Sequence, residues 1–172
     1  VVRAFKAGWG GVVWKTLGED GPPVVNVSSR YGAVHYNGTK IAGLNNIELI
    51  TDRPLDVNLK EIERVKKAWP DRAVIVSLMV PCEENAWEKI VKRVETTGCD
   101  GIELNFGCPH GMSERGMGSA VGQVPEYIRD VTSWCKKHTK MPVFVKLTPN
   151  ITNILYPARA AVEGGADAVS LI

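Results

Sequence analysis

Apolar positions along the chain follow two alternating patterns. Unbroken apolar runs at Ala73-Val74-Ile75-Val76-Ser77-Leu78-Met79-Val80, Gly101-Ile102-Glu103-Leu104-Asn105-Phe106, Pro142-Val143-Phe144-Val145-Lys146-Leu147 and Ala168-Val169-Ser170-Leu171-Ile172 each read as a buried strand. Between these runs apolar residues recur at helical spacing. Asp56 to Trp69 aligns Leu59, Ile62, Val65 and Ala68, and Cys82 to Thr97 aligns Trp87, Ile90, Val91 and Val94. Pro125 to His138 aligns Ile128, Val131, Trp134 and Cys135, and Thr152 to Glu163 aligns Ile154, Leu155, Ala158 and Ala161, with Thr152 the expected N-cap. Strands apolar throughout, separated by amphipathic helices, call for a parallel sheet covered by helices.

A similar phrase occurs at Ala7-Gly8-Trp9-Gly10-Gly11-Val12-Val13, at Thr97-Gly98-Cys99-Asp100-Gly101-Ile102-Glu103-Leu104 and at Gly164-Gly165-Ala166-Asp167-Ala168-Val169-Ser170-Leu171. Each copy breaks a helical pattern with glycine and enters a β-rich run, as a helix C-terminus requires. A doubly wound sheet and a (β/α)8 barrel both fit this alternation, and the repetition favours the barrel. Such a barrel needs about 250 residues. The 172 residues are therefore expected to be an internal part of a single barrel domain, truncated at both ends. The chain opens inside VVRAFKAG, which reads as a helix tail, and stops inside an apolar run. Leu17 to Arg53, rich in Gly, Pro, Asn and Ser, fits no βα unit and reads as a long excursion above the strand ends.

Composition narrows the partners. With 44% hydrophobic and 23% charged residues and a net charge of +2, nothing points to nucleic acid. No apolar run approaches the roughly 20 residues of a membrane span, and no signal peptide is visible. The 4 cysteines, Cys82, Cys99, Cys108 and Cys135, lack C-x-x-C spacing, so a disulfide framework, a zinc site and an iron–sulfur motif are not expected. A reducing, cytoplasmic location follows. Cys82, Cys99 and Cys135 fall on helices or helix ends, as packing residues do. Gly8-Trp9-Gly10-Gly11 precedes a strand and is not a dinucleotide fingerprint.

The candidate chemistry gathers at the C-terminal ends of the expected strands, where barrel active sites lie. The central stretch, GIELNFGCPHGMSERGMGSAVG from Gly101 to Gly122, runs from a strand into Asn105, Cys108 and a long glycine-rich loop carrying Glu114 and Arg115. Two readings stand open: a reactive Cys108 under a mobile lid, or a buried cysteine beside an ordinary loop. Lys15 and Lys146 end two strands, and a lysine there needs an anion or must reach solvent. Two at matching positions favour an anionic or electron-rich ligand. Asn45-Asn46-Ile47-Glu48 lies in the excursion, and His110 stands as an acid–base candidate or a loop cap.

Together AGWGGVVWKT, NNIELI, ELNFGCPHGMSERGMG, KLTPN and EGGADAVSLI resemble the FMN-binding barrel of the dihydropyrimidine dehydrogenase family, in particular the catalytic subunit of its bacterial NAD-dependent form, within the dihydroorotate dehydrogenase-like superfamily. The cysteine motif with its HGMSERGMG continuation is highly specific. Asn-x-Gly-Cys-Pro alone also resembles tRNA-dihydrouridine synthases, and the Ser-Cys-Pro form resembles cytosolic dihydroorotate dehydrogenases. The resemblance implies FMN-dependent reduction of the 5,6 double bond of uracil or thymine, with electrons ultimately from NADH. It implies flavin contacts from Lys15, Thr16 and Lys146, and pyrimidine contacts from Asn46 and Asn105, with Glu48 near the same site. Phe106 and Gly107 match the pair between the asparagine and the cysteine. Gly107 offers backbone only, where the animal enzymes have serine. Cys108 matches the catalytic cysteine, and Met112 to Gly118 would close over the base. NADH and iron–sulfur clusters are expected on other parts of the enzyme or on an NADH-oxidising, iron–sulfur/FAD partner subunit, in an oligomer. No metal site, nucleic acid or membrane is expected. Phosphate-binding loops from the last two strands of such a barrel are not in this chain, so this segment alone should bind FMN poorly. Rival readings are dihydroorotate dehydrogenase, which would want an added cation for the substrate carboxylate, tRNA-dihydrouridine synthase, a Schiff-base aldolase using Lys146, and a non-catalytic barrel.

Overall fold

Five strands, Gly11–Leu17, Ala73–Leu78, Gly101–Asn105, Val143–Lys146 and Ala168–Ser170, form one parallel sheet in that order, each beside its successor in the chain once a hairpin is set aside. The computed structural model describes residues 1–19, 24–109 and 115–171. Helix α1 (Val2–Lys6) leads into β1 (Gly11–Leu17), and the hairpin β2 (Tyr31–Tyr36) and β3 (Lys40–Asn46) follows. Next come α2 (Leu55–Ala68), β4 (Ala73–Leu78), α3 (Glu84–Glu95) and β5 (Gly101–Asn105). The one-turn α4 (Ser119–Gly122), α5 (Pro125–His138), β6 (Val143–Lys146), α6 (Leu155–Glu163) and β7 (Ala168–Ser170) complete the described elements. Among them no helix is long and apolar enough to cross a membrane.

The strand order decides between the two architectures. Right-handed crossovers that always step the same way place every helix on one face of the sheet. A doubly wound sheet reverses direction and carries helices on both faces. No reversal occurs among the described strands, so the fold is α/β with the winding of a partial (β/α)8 barrel. On the helix side Val74, Val76, Leu78, Ile102, Leu104, Val143 and Val145 are each 0% exposed. They share one core with Trp87, Ile90, Val91 and Val94 of α3 and Ile128, Val131 and Cys135 of α5. Alternate residues point to the opposite, concave face, which receives Ser77, Glu103, Asn105 and Lys146.

The repeated glycine phrase has a backbone cause. Gly8, Gly98 and Gly165 have φ of 95°, 72° and 91°, the left-handed conformation that ends the helix before each strand. The expected cap of the last helix is corrected. The helix begins at Leu155, and Asn153, not Thr152, supplies the acceptor: its Oδ1 takes the Leu155 N–H at 3.0 Å.

The excursion after β1 contains the antiparallel hairpin, turned at Asn37 and Gly38 with φ of 49° and 75°. Tyr31, Val34, Tyr36, Ile41 and Leu44 leave it largely exposed. Its base is closed by the Ile47 N–H on the Arg30 carbonyl at 2.8 Å. The return leg is pinned to β1 by the Thr51 N–H on the Thr16 carbonyl at 3.0 Å. Asn58 of α2 reinforces this. Its Oδ1 accepts the Trp14 indole N–H at 3.2 Å, while its amide donates to the carbonyls of Arg53 at 3.2 Å and Pro54 at 3.1 Å. Residues 47–50 therefore pass over the C-terminal end of β1.

Candidate active site

Sheet register brings the polar strand ends together. Asn105, the last residue of β5, pairs with Lys146, the last residue of β6. In the β1–β4 ladder Trp14 pairs with Val76 and Leu17 with Leu78, so Lys15 and Thr16 together oppose Ser77. This bulge buries Thr16 against Ser77 and leaves Lys15 exposed.

A chain of hydrogen bonds crosses the concave face. The Ser77 hydroxyl donates to Glu103 Oε1 at 2.8 Å. With that proton committed, Thr16 Oγ1 donates to Ser77 Oγ at 2.9 Å. Asn105 Nδ2 donates to Thr16 Oγ1 at 3.0 Å, and Asn105 Oδ1 accepts the Gly107 N–H at 3.1 Å. At the other end Lys146 Nζ lies 3.0 Å from the same Glu103 oxygen. Glu103, Ser77, Asn105 and Thr16 are 5%, 2%, 5% and 9% exposed, so these groups depend on one another for their polar partners.

Both lysines thus find an anion within the protein. Lys15 pairs with Glu48, which also receives Arg30 at 3.0 Å. The Lys15 hydrogen bond, aided by Arg30, holds the Glu48 carboxyl below its ordinary range. Asn46 ends β3 exposed to solvent, outside the buried chain of hydrogen bonds among the described residues. Phe106 lies in the core, 1% exposed and edge-on to Trp87 at 6.2 Å, and its N–H donates to the Lys146 carbonyl at 3.0 Å.

Cys108 stands three residues beyond β5 and packs against the buried cluster of Ile50, Met79 and Met117. Its carbonyl accepts the Ser119 N–H at 3.0 Å. The described half of the following loop is fastened down, with Met117 and Ser119 buried at 1% and 6% exposure. A Cβ on Gly118 would lie 2.4 Å from the Cys108 carbonyl oxygen, and one on Gly122 2.2 Å from that of Phe106. His110 and Met112 lie outside the described residues, as do Gly111, Ser113 and Glu114. Cys82, Cys99 and Cys135 are packing residues whose thiols burial pushes above the ordinary range.

The donor set fits a flavin. An ammonium has three N–H donors, so Lys146 and Lys15 keep donors beyond their glutamates, as the carbonyl and nitrogen edge of an isoalloxazine requires. The Thr16 hydroxyl is already engaged at both ends. Reading the sequence missed Glu103, Ser77 and Arg30. Glu103 and Ser77 had a signal, as lone polar residues inside apolar strand runs, in step with Asn105 on its strand; Arg30 had none.

The dihydrouridine synthase (Dus) family profile matches residues 41–171. The dihydropyrimidine dehydrogenase (NADP(+)), chloroplastic, of Arabidopsis thaliana is 47% identical over 99% of this chain and 41% of its own length. The NAD-dependent dihydropyrimidine dehydrogenase subunit PreA of Escherichia coli K12 is 39% identical over 99% of this chain and 40% of its own. The chain therefore spans about two fifths of these relatives. A crystal structure of dihydroorotate dehydrogenase (DHODH) from Eimeria tenella superposes with a TM-score of 0.56 at 20% identity, over 73% of this chain and 41% of that one, and shares the fold. With the profile covering 131 consecutive positions, residues 41–171, this chain belongs to the dihydrouridine synthase (Dus) family.

Proposed function

We propose that the protein is an FMN-dependent oxidoreductase that reduces the 5,6 double bond of uracil or thymine, with electrons ultimately from NADH. The observation that carries this reading is the pairing of Asn105 with Lys146 at the concave strand ends, with Cys108 on the loop that leaves the same strand. The names of the Arabidopsis and Escherichia coli relatives support the same substrate class. Reduction of a C=C bond conjugated to a carbonyl needs a hydride at one carbon and a proton at the other. FMN, when bound, supplies the hydride for C6 of the pyrimidine. Cys108 gives its thiol proton to C5 and recovers a proton from solvent after turnover. The Asn105 amide, its orientation fixed by Thr16 and Gly107, offers a donor and an acceptor to the alternating N–H and C=O edge of the base. In this reading Asn46 and Glu48 would reach the pyrimidine from the excursion, while the Phe106 and Gly107 N–H groups, bonded to the Lys146 carbonyl and to Asn105 Oδ1, act by fixing those two residues. Lys15 and Lys146, each offset by a glutamate, would direct their remaining N–H donors toward the cofactor. The free thiols suit a reducing compartment such as the cytoplasm. Iron–sulfur clusters and the NADH-oxidising centre belong to other parts of the enzyme or to a partner subunit, in keeping with the Escherichia coli relative's description as a subunit.

The test uses the intact protein with its flavin reduced in the absence of oxygen. Uracil should restore the oxidised-flavin absorbance rapidly. The family profile favours one second reading, reduction of uridine in tRNA; the net charge of +2 argues against it. Reoxidation by tRNA alone, or by orotate alone, would replace uracil as the substrate, and absence of flavin would remove the reading altogether.

A further inference from the structure

We infer that Glu103 is a positioning residue that sets two parts of the site at once: the place of the Lys146 ammonium and, through Ser77 and Thr16, the orientation of the Asn105 amide. This rests on the reading of the site as one for a flavin and a pyrimidine. Glu103 is 5% exposed, and one of its oxygens receives both Lys146 Nζ at 3.0 Å and the Ser77 hydroxyl at 2.8 Å. A carboxylate only accepts hydrogen bonds. Its charge therefore fixes the direction of every bond upstream: Ser77 must donate to it, Thr16 must donate to Ser77, and Asn105 must turn its NH2 toward Thr16. The same turn aims Asn105 Oδ1 at the Gly107 N–H, so the amide has one orientation that satisfies both neighbours. The second N–H and the second lone pair of Asn105 are then left in fixed directions for a ligand edge. A glutamine at position 103 has the same shape but carries donors, so it weakens the hold on Lys146 and lets the chain of hydroxyls reverse. A reversed chain sets Thr16 as a donor against the Asn105 NH2, a conflict that only an amide flip away from Gly107 relieves.

The two branches separate experimentally. Ser77→Ala cuts the link to Thr16 and Asn105 but leaves Glu103 against Lys146, whereas Glu103→Gln disturbs both. In the intact flavin-loaded protein, Ser77→Ala should raise the KM for uracil roughly tenfold, as loss of a buried hydrogen-bond partner predicts. It should do so more than it lowers kcat, and leave the flavin midpoint potential unchanged. Glu103→Gln should raise KM similarly and shift the flavin potential upward, because the Lys146 charge is no longer neutralised. If Glu103→Gln leaves potential and KM at wild-type values, the inference is overturned while the flavin reading stands. If Glu103→Gln does not fold, Ser77→Ala decides: an unchanged KM overturns the coupling and a raised KM with an unchanged potential supports it. Wild-type protein without flavin overturns both, which the wild-type spectrum reveals before any variant is compared.

Discussion

Asp100 and Asp167 do the same work two βα units apart, ahead of β5 and β7. Asp100 Oδ2 accepts the Val74 N–H at 2.8 Å and meets Lys66 Nζ at 2.8 Å. Asp167 Oδ2 accepts the Val143 N–H at 2.7 Å and meets Lys136 Nζ at 2.8 Å. Each aspartate precedes a strand and ties the start of a neighbouring strand to the helix before it. This is the physical content of two copies of the repeated phrase; the first copy has Trp9-Gly10 at that point and no carboxylate.

Removing one of these ties should cost stability. Asp167→Ala leaves the Val143 N–H without its acceptor, and the intact protein should lose about 1–2 kcal/mol in urea unfolding. Asp167→Asn keeps an acceptor and removes the charge. The Asp167 carboxyl lies below its ordinary value of 3.8, first because Lys136 bonds it and then because the Val143 N–H does. A depressed carboxyl pKa contributes stability above the unfolded value, lost as pH falls through the folded one. Wild-type stability should therefore fall below about pH 4, and Asp167→Asn should flatten that limb. The effect is small, since Asp167 is 44% exposed at its side chain. An unchanged acid limb in Asp167→Asn would remove this carboxylate from the account.

Cys108→Ala should lower uracil turnover by about 10²- to 10⁴-fold, the range for a lost general acid. The flavin spectrum and melting temperature should stay near wild type, because Cys108 is only half-buried at the edge of the Ile50, Met79 and Met117 cluster. Turnover within a few-fold of wild type would assign the proton to another donor.

Glu48 stands between Lys15 and Arg30 and uses both of their charges. The carboxylate of orotate would meet that anion. Glu48→Gln frees the two cations, so the ratio of orotate to uracil reoxidation efficiency (kcat/KM) should rise about tenfold or more, since like-charge juxtaposition costs several kcal/mol. Stopped-flow reoxidation with each substrate measures the ratio, and no change would place Glu48 away from the position where orotate carries its carboxylate.

The helices and parallel strands were legible because each buried face is written in a single period. Ile62 and Val65, or Trp87, Ile90 and Val94, cannot face anything but a core. Strand order was not written, and the choice between barrel and doubly wound sheet rested on the glycine phrase, whose copies do share a positive-φ glycine. The hairpin had a signal that went unread, Asn37-Gly38, because its flanks are exposed and lack the alternation that marks a half-buried strand. Lys146, Asn105 and Cys108 were visible as polar groups at strand ends. Glu103 was not singled out, because a carboxylate inside an apolar strand makes sense only when Lys146 and Ser77 are seen to converge on it from two other strands. Phe106 shows the converse: motif matching places it beside the substrate, while strand alternation turns its ring toward Trp87.

Gly116 and Gly118 differ in how far an added side chain would disturb the seat of Cys108. Both have positive φ, 66° and 58°, so alanine at either position is strained; Gly118, with ψ of −124°, lies outside the left-handed helical region in a conformation that favours glycine alone. A Cβ at Gly116 meets nothing within 4 Å, whereas one at Gly118 would lie 2.4 Å from the Cys108 carbonyl oxygen and 2.9 Å from Met79 Sδ. Gly116→Ala should therefore show the strain alone, as a modest drop in melting temperature. Gly118→Ala should drop it further and also displace the Cys108 backbone, which holds the Ser119 N–H at 3.0 Å. Misplacing a reacting group by about 1 Å costs on the order of 10²-fold in rate, so uracil turnover should fall by that order in Gly118→Ala and much less in Gly116→Ala. Equal losses in the two variants would show that backbone strain, not the seat of Cys108, sets the sensitivity of this loop.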